Sequence, residues 1–137
     1  MYKRQGEDGA VSGAAEGTLF IDMTTISPDV TREIAKRLED GGFQFLDAPV
    51  SGGDIGAQNG TLTIMVGGRQ EAFERAEAVF EAMGGRITLV GESGAGQVTK
   101  ACNQILCAVN LLAVCEAVAL ASRSGICLLY TSPSPRD

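Results

Sequence analysis

Histidine and tryptophan are absent from the sequence, and its four cysteines, Cys102, Cys107, Cys115 and Cys127, include no pair at Cys-x-x-Cys spacing. Without imidazoles or closely spaced thiols a zinc site lacks its donors, and the cysteine pattern is not that of a disulfide framework. Thiols scattered along an apolar segment behave as small hydrophobes and fit a reducing cytoplasm, the expected location. Basic residues are scarce too: 11 Lys and Arg stand against 17 Asp and Glu, a formal charge of −6, with no basic cluster. Nucleic acid and anionic membranes are poor partners for such a chain. One long apolar run exists, 105–121, with Asn110 and Glu116 its only polar residues. It is shorter than the roughly 20 apolar residues a bilayer span takes. A helix buried on most of its faces in a soluble protein is therefore expected, and no membrane. A secretory leader is not expected, because glycine and acidic residues follow the basic start at 1–5.

What the chain does have is 45% hydrophobic residues over 137 positions, enough for one sizeable core. The two ends stand apart from it. Reverse translation of 127–137, and of 1–5 with GTG as the start codon, gives DNA resembling the two strands of an adapter used in transposon-based sequencing libraries. Both stretches are expected to be adapter-derived and excluded from fold reasoning; the alternative for the second is a Ser/Pro-rich disordered tail.

Between the ends, strand and helix signals alternate. Residues 18–23 read as a buried strand, followed by Ser27 as N-cap and Pro28 at the first helical position. Val30, Ile34 and Leu38 supply a helical stripe that stops at Gly41-Gly42. Strands are predicted at 43–47, 61–66 and 86–90, an amphipathic helix at 70–83 with Phe73, Ala76, Phe80 and Met83 on one face, and a long helix at 94–124. The proline- and glycine-rich stretch between Asp47 and Thr61 is expected to have no regular structure. The fold class is α/β, a sheet covered by helices, with a final helix that crosses this domain or begins another.

Two places could carry chemistry. The loop Asp47-Ala-Pro-Val-Ser-Gly-Gly53 places glycyl amides beside the Ser51 hydroxyl, a concave run suited to a carboxylate or phosphate; a plain turn is the competing reading, and Asp47 is expected to fix that turn, a catalytic acid at the strand end being the alternative. Lys100, Asn103 and Gln104 fall on one face at the start of the apolar helix. They read either as a solvated helix start or as the polar lining of a pocket, in which the amine would exchange a proton with a substrate oxygen. Asn110 and Glu116 are expected to serve structural hydrogen bonding or contact with a neighbouring subunit, and Asn59-Gly60 to be a turn.

The segments IDMTTISPD, FLDAPVSGGDIGAQNGTLTIMVGG and GAGQVTKACNQ, in this order and spacing, together resemble the β-hydroxyacid dehydrogenase family of 3-hydroxyisobutyrate dehydrogenases and tartronate semialdehyde reductases. The resemblance implies a Rossmann domain binding NAD or NADP, followed by an all-α domain. Residues 6–91 would be the later part of the former, and 92–126 the interdomain helix that opens the latter. It implies that Ser51, Gly52 and Gly53 hold the carboxylate of a small hydroxy acid or semialdehyde. Lys100 would move the proton, Asn103 and Gln104 would hold substrate, and Thr25 would lie by the nicotinamide. It also implies a homo-oligomer at full length. The Gly-x-Gly-x-x-Gly turn that cradles a dinucleotide pyrophosphate is not in the sequence. The chain by itself is accordingly expected neither to bind NAD tightly nor to turn over substrate. A non-catalytic binding or oligomerisation module, marked by loss of the lysine, and an inert fragment are the other classes of reading.

Overall fold

The structure, a computed structural model, describes residues 9–128. The expected adapter-derived stretch 1–5, and all but the first two residues of 127–137, lie outside these. The chain divides into two compact units, Met1–Lys100 and Ala101–Asp137.

In the first unit a 3-10 turn, Ala10–Gly13, precedes β1 (Leu19–Asp22), α1 (Pro28–Asp40), β2 (Gln44–Asp47), β3 (Val50–Ser51), α2 (Gly53–Gln58), β4 (Leu62–Gly68), α3 (Gln70–Glu81) and β5 (Gly84–Gly91), after which α4 (Ala95–Arg123) begins. β1 runs parallel to β2, β2 and β3 pair antiparallel to β4, and β4 runs parallel to β5. Leu46 opposes Gly68, Asp47 opposes Gly67, Val50 opposes Ile64 and Ser51 opposes Thr63, so β2 and β3 follow β4 in one unbroken register. The Met65 N–H donating to Pro49 O at 3.1 Å bridges the gap between them.

That register explains why the loop is more ordered than its composition suggests. The expected irregular stretch instead contains β3 and a short helix. Val50 and Ser51 are paired to Ile64 and Thr63 of β4, and Gly52 and Gly53, with φ of 135° and 63°, turn the chain at once into α2. Alternation along 45–51 then sorts side chains to two faces. Leu46 and Ala48 join Leu62, Ile64 and Val66 against Ala72, Ala76 and Phe80 of α3. Phe45 packs on the other side with Ile34, Ala35 and Leu38 of α1, next to an edge-to-face Phe20–Phe43 pair with centroids 5.5 Å apart. Asp47 and Ser51 share the parity of Phe45 and face away from the α3 core.

Helix α1 starts at Pro28 behind Ser27, as its sequence predicts, although no side-chain bond from Ser27 caps it. Val30 is a correction. It is 36% exposed, and the buried stripe is Thr31, Ile34, Ala35 and Leu38. Rotating the face by one residue brings both i, i+3 and i, i+4 partners onto the sheet.

The second unit holds α4 from Ala101 onward. This part departs from the expected buried helix. Ile105, Leu106, Val109, Leu111, Leu112, Val114 and Leu120 are all exposed, while Ala121 is buried at 8%. Nothing among the described residues covers that apolar surface. As a whole α4 has 29 residues and, by length and composition, is long and apolar enough to cross a membrane. The extra length over 105–121 comes from its first turns.

Candidate active site

The Asp47 side chain, 0% exposed at the end of β2, is the hub of the site. Its Oδ1 accepts the Gly94 N–H at 2.7 Å and its Oδ2 accepts the Gln97 N–H at 3.0 Å. These amides sit at the start of α4, where donors have no intrahelical acceptor and the helix dipole favours a negative charge. Asp47 therefore does not fix its own turn, as the sequence suggests. It caps a helix that begins just after Gly94, 47 residues further along the chain.

Close approach is needed for that cap. A Cβ on Gly96 would stand 2.8 Å from Asp47 Oδ2 and 2.9 Å from Asp47 O. Gly67 is equally confined, with Asp47 Oδ1 2.5 Å from the position of an added Cβ. Gly96→Ala is expected to destabilise the fold by about 2 kcal/mol, as overpacking against groups that cannot yield does. Denaturant unfolding checks this, and an unchanged midpoint would contradict the packing described.

Anchored in this way, the first turns of α4 carry Lys100 to Ser51. Lys100 Nζ donates to Ser51 Oγ at 3.1 Å, and both residues are half-buried. Gly52 and Gly53 follow Ser51 directly and are exposed. A Cβ added at Gly53 would meet nothing within 4 Å, so the loop's backbone is open to an approaching group there. Gly52 is tighter: with φ at 135° and Leu62 Cδ2 3.0 Å from an added Cβ, it has room for hydrogen alone.

Thr25 lies beyond the carboxyl end of β1 and is exposed. The turn around it is pinned from two sides. Asp22 Oδ1 accepts from the Thr24 N–H at 3.0 Å and from the Thr24 hydroxyl at 2.6 Å. Gln97 donates through Nε2 to Thr24 O at 2.7 Å and accepts the Ile26 N–H through Oε1 at 3.2 Å. In the second unit, Asn103 Nδ2 donates to Gln104 Oε1 at 3.2 Å and lies 3.7 Å from Cys107 Sγ.

Of the residues singled out from sequence, the structure thus brings Ser51 and Lys100 into contact. It links Thr25 to the same helix through Gln97, and it pairs Asn103 with Gln104. Sequence reasoning missed Gln97 and the capping role of Asp47. A glutamine inside GAGQVTK carries no local mark of a partner more than 70 positions away; the available signal was a polar residue in a tight glycine turn. No group of three or more metal-ligating side chains occurs among the described residues.

Parallel β1 and β2, with loops beyond their carboxyl ends beside an amine from the start of a later helix, form an α/β arrangement of the kind in which ligands bind outside the carboxyl ends of the strands. The chain belongs to the β-hydroxyacid dehydrogenase family. Residues 3–91 match the NAD-binding domain of 6-phosphogluconate dehydrogenase, and residues 94–129 match the NAD-binding region of NADP-dependent 3-hydroxyisobutyrate dehydrogenase. An oxidoreductase of Bacillus subtilis is 50% identical over 88% of this chain and 42% of its own length. The 2-hydroxy-3-oxopropionate reductase of Escherichia coli is 48% identical over 88% of this chain and 41% of its own. A solved 3-hydroxyisobutyrate dehydrogenase of Mycobacterium tuberculosis with L-serine superposes at a TM-score of 0.82 and 44% identity, covering 85% of this chain and 40% of that one. The chain spans about two fifths of the length of such relatives.

Thr25 is exposed on its pinned turn, and the glycine cradle for a dinucleotide pyrophosphate is not in the sequence.

Proposed function

We propose that this chain is a segment of an NAD(P)-dependent dehydrogenase that interconverts a small 3-hydroxy acid and its semialdehyde. The observation that carries the reading is the 3.1 Å contact between Lys100 Nζ and Ser51 Oγ, an ammonium brought to the edge of an open glycine loop. In this reading the Ser51 hydroxyl and the Gly52-Gly53 amides hold the substrate carboxylate. Thr25 would stand by the nicotinamide, and Asn103 and Gln104 would hold the rest of the substrate. The bound NAD or NADP supplies or accepts the hydride. Lys100 stabilises the negative charge that develops on the substrate oxygen during reduction and gives it a proton; in the oxidation direction the amine takes that proton back.

The substrate we favour is tartronate semialdehyde, because the Asn103-Gln104 pair resembles tartronate semialdehyde reductases more than the Asn-Asn pair common in 3-hydroxyisobutyrate dehydrogenases; 3-hydroxyisobutyrate is the second candidate. Cytoplasmic location and a homo-oligomer, without nucleic acid or membrane partners, complete the reading. Residues 6–91 would be the later part of the Rossmann domain and 92–126 the interdomain helix, with 1–5 and 127–137 foreign to the protein. Sequencing the source locus checks this, and finding both ends encoded there would refute the foreign origin.

The complete reading frame, expressed and purified, is expected to reduce tartronate semialdehyde with NADH or NADPH, while the 137-residue chain alone shows no turnover. Ser51→Ala should raise KM for the hydroxy acid about tenfold, the equivalent of one lost charge-assisted hydrogen bond. No turnover of any 3-hydroxy acid by the complete protein would overturn the reading.

A further inference from the structure

We propose that Gln97 is a positioning residue for this reaction: its side-chain amide sets where Thr25 stands relative to Lys100. The proposal rests on the dehydrogenase reading above and adds a residue that touches neither substrate nor cofactor. Gln97 is 1% exposed, and a buried primary amide is stable only when both its ends are matched. Here they are matched to the backbone groups on either side of Thr25: Nε2 donates to Thr24 O at 2.7 Å, and Oε1 accepts the Ile26 N–H at 3.2 Å. The two partners also fix the amide's orientation, since a carbonyl only accepts and an N–H only donates.

The other end of the linkage is equally firm. The Gln97 N–H donates to Asp47 Oδ2 at 3.0 Å, so its own backbone is held by the cap of α4. Lys100 lies three residues on, hence on the same face of the helix, and reaches Ser51 at 3.1 Å. Thr25, Gln97, Lys100 and Ser51 are thereby connected through one turn of helix and three hydrogen bonds. An apolar residue of the same volume would fill the space but leave Thr24 O and the Ile26 N–H without these partners, so that the turn is held from the Asp22 side alone. The glutamine therefore governs the geometry between the hydride-bearing and proton-bearing sides, while the carboxylate loop is held separately by β3 pairing to β4.

The experiment uses the complete protein and two variants. Gln97→Met keeps the volume and removes both bonds. Its kcat should fall about ten- to a hundredfold while KM for the hydroxy acid moves less than about threefold, as misplacement at the reacting centre requires. The primary deuterium isotope effect on kcat should rise, since hydride transfer becomes the slow step. Gln97→Glu gives a signature that loss of stability does not. An ionised carboxylate cannot donate to Thr24 O, whereas a protonated one both donates and accepts, and burial favours protonation. Relative to the wild type, its kcat should climb as pH falls, and that of Gln97→Met should not.

A kcat for Gln97→Met within twofold of wild type would overturn the proposal, as would parallel pH profiles for the two variants. Should neither variant fold, amide hydrogen exchange on the wild type decides: slow exchange at Ile26 supports the tether, and exchange at the unprotected rate overturns it. A wild-type protein without dehydrogenase activity would instead sink the functional reading, and the Ile26 exchange would still test the tether.

Discussion

Lys100→Ala in the complete protein is expected to lower kcat by about 10²- to 10⁴-fold, the range that a positioned acid or base supplies. Dissociation of NAD(P), followed by quenching of protein or nicotinamide fluorescence, should change little, because Lys100 bonds to Ser51 and not to the turn at Thr25. Lys100→Arg should be almost as slow. The guanidinium keeps the charge near Ser51, yet it does not release a proton at working pH and its planar fork is larger than an ammonium. A Lys100→Ala enzyme turning over within tenfold of wild type would refute the assignment.

Asp47→Ala should have the largest effect on stability of any single change at the site, about 3 kcal/mol. Removing the carboxylate leaves the Gly94 and Gln97 amides buried without an acceptor, and hydrogen bonds to a charged group are the stronger kind. Asp47→Asn should lose roughly half as much, since one carbonyl oxygen remains and an amide NH₂ then faces an N–H. Urea unfolding of the three proteins measures both. Equal midpoints would show that α4 does not depend on this cap.

Much of the fold could be read from the chain because its signals are local. Ser27-Pro28 marks the start of α1, the apolar runs at 18–23 and 61–66 mark β1 and β4, and Phe73, Ala76 and Phe80 mark the buried side of α3. The errors share a physical origin in partners distant along the chain. Glycine and proline lower the intrinsic propensity of 48–60, but pairing to β4 overrides propensity and makes β3. The burial expected at 105–121 presumes a covering surface, and no described residue provides one. At the site, Ser51 and Lys100 were legible as chemically suitable groups. Their contact follows from strand register and from a cap that joins Asp47 to Gly94, neither of which leaves a mark on neighbouring residues.

The same cap ties together segments far apart along the chain. Between Asp47 and Gly94 lie β3, α2, β4, α3 and β5, and the packing of those elements offsets the entropy of closing so long a loop. The Gln97 bond to Thr24 spans further still, 73 positions. The contact between Lys100 and Ser51 therefore depends on the whole sheet, and a chain misregistered at β3 holds neither half of it in place.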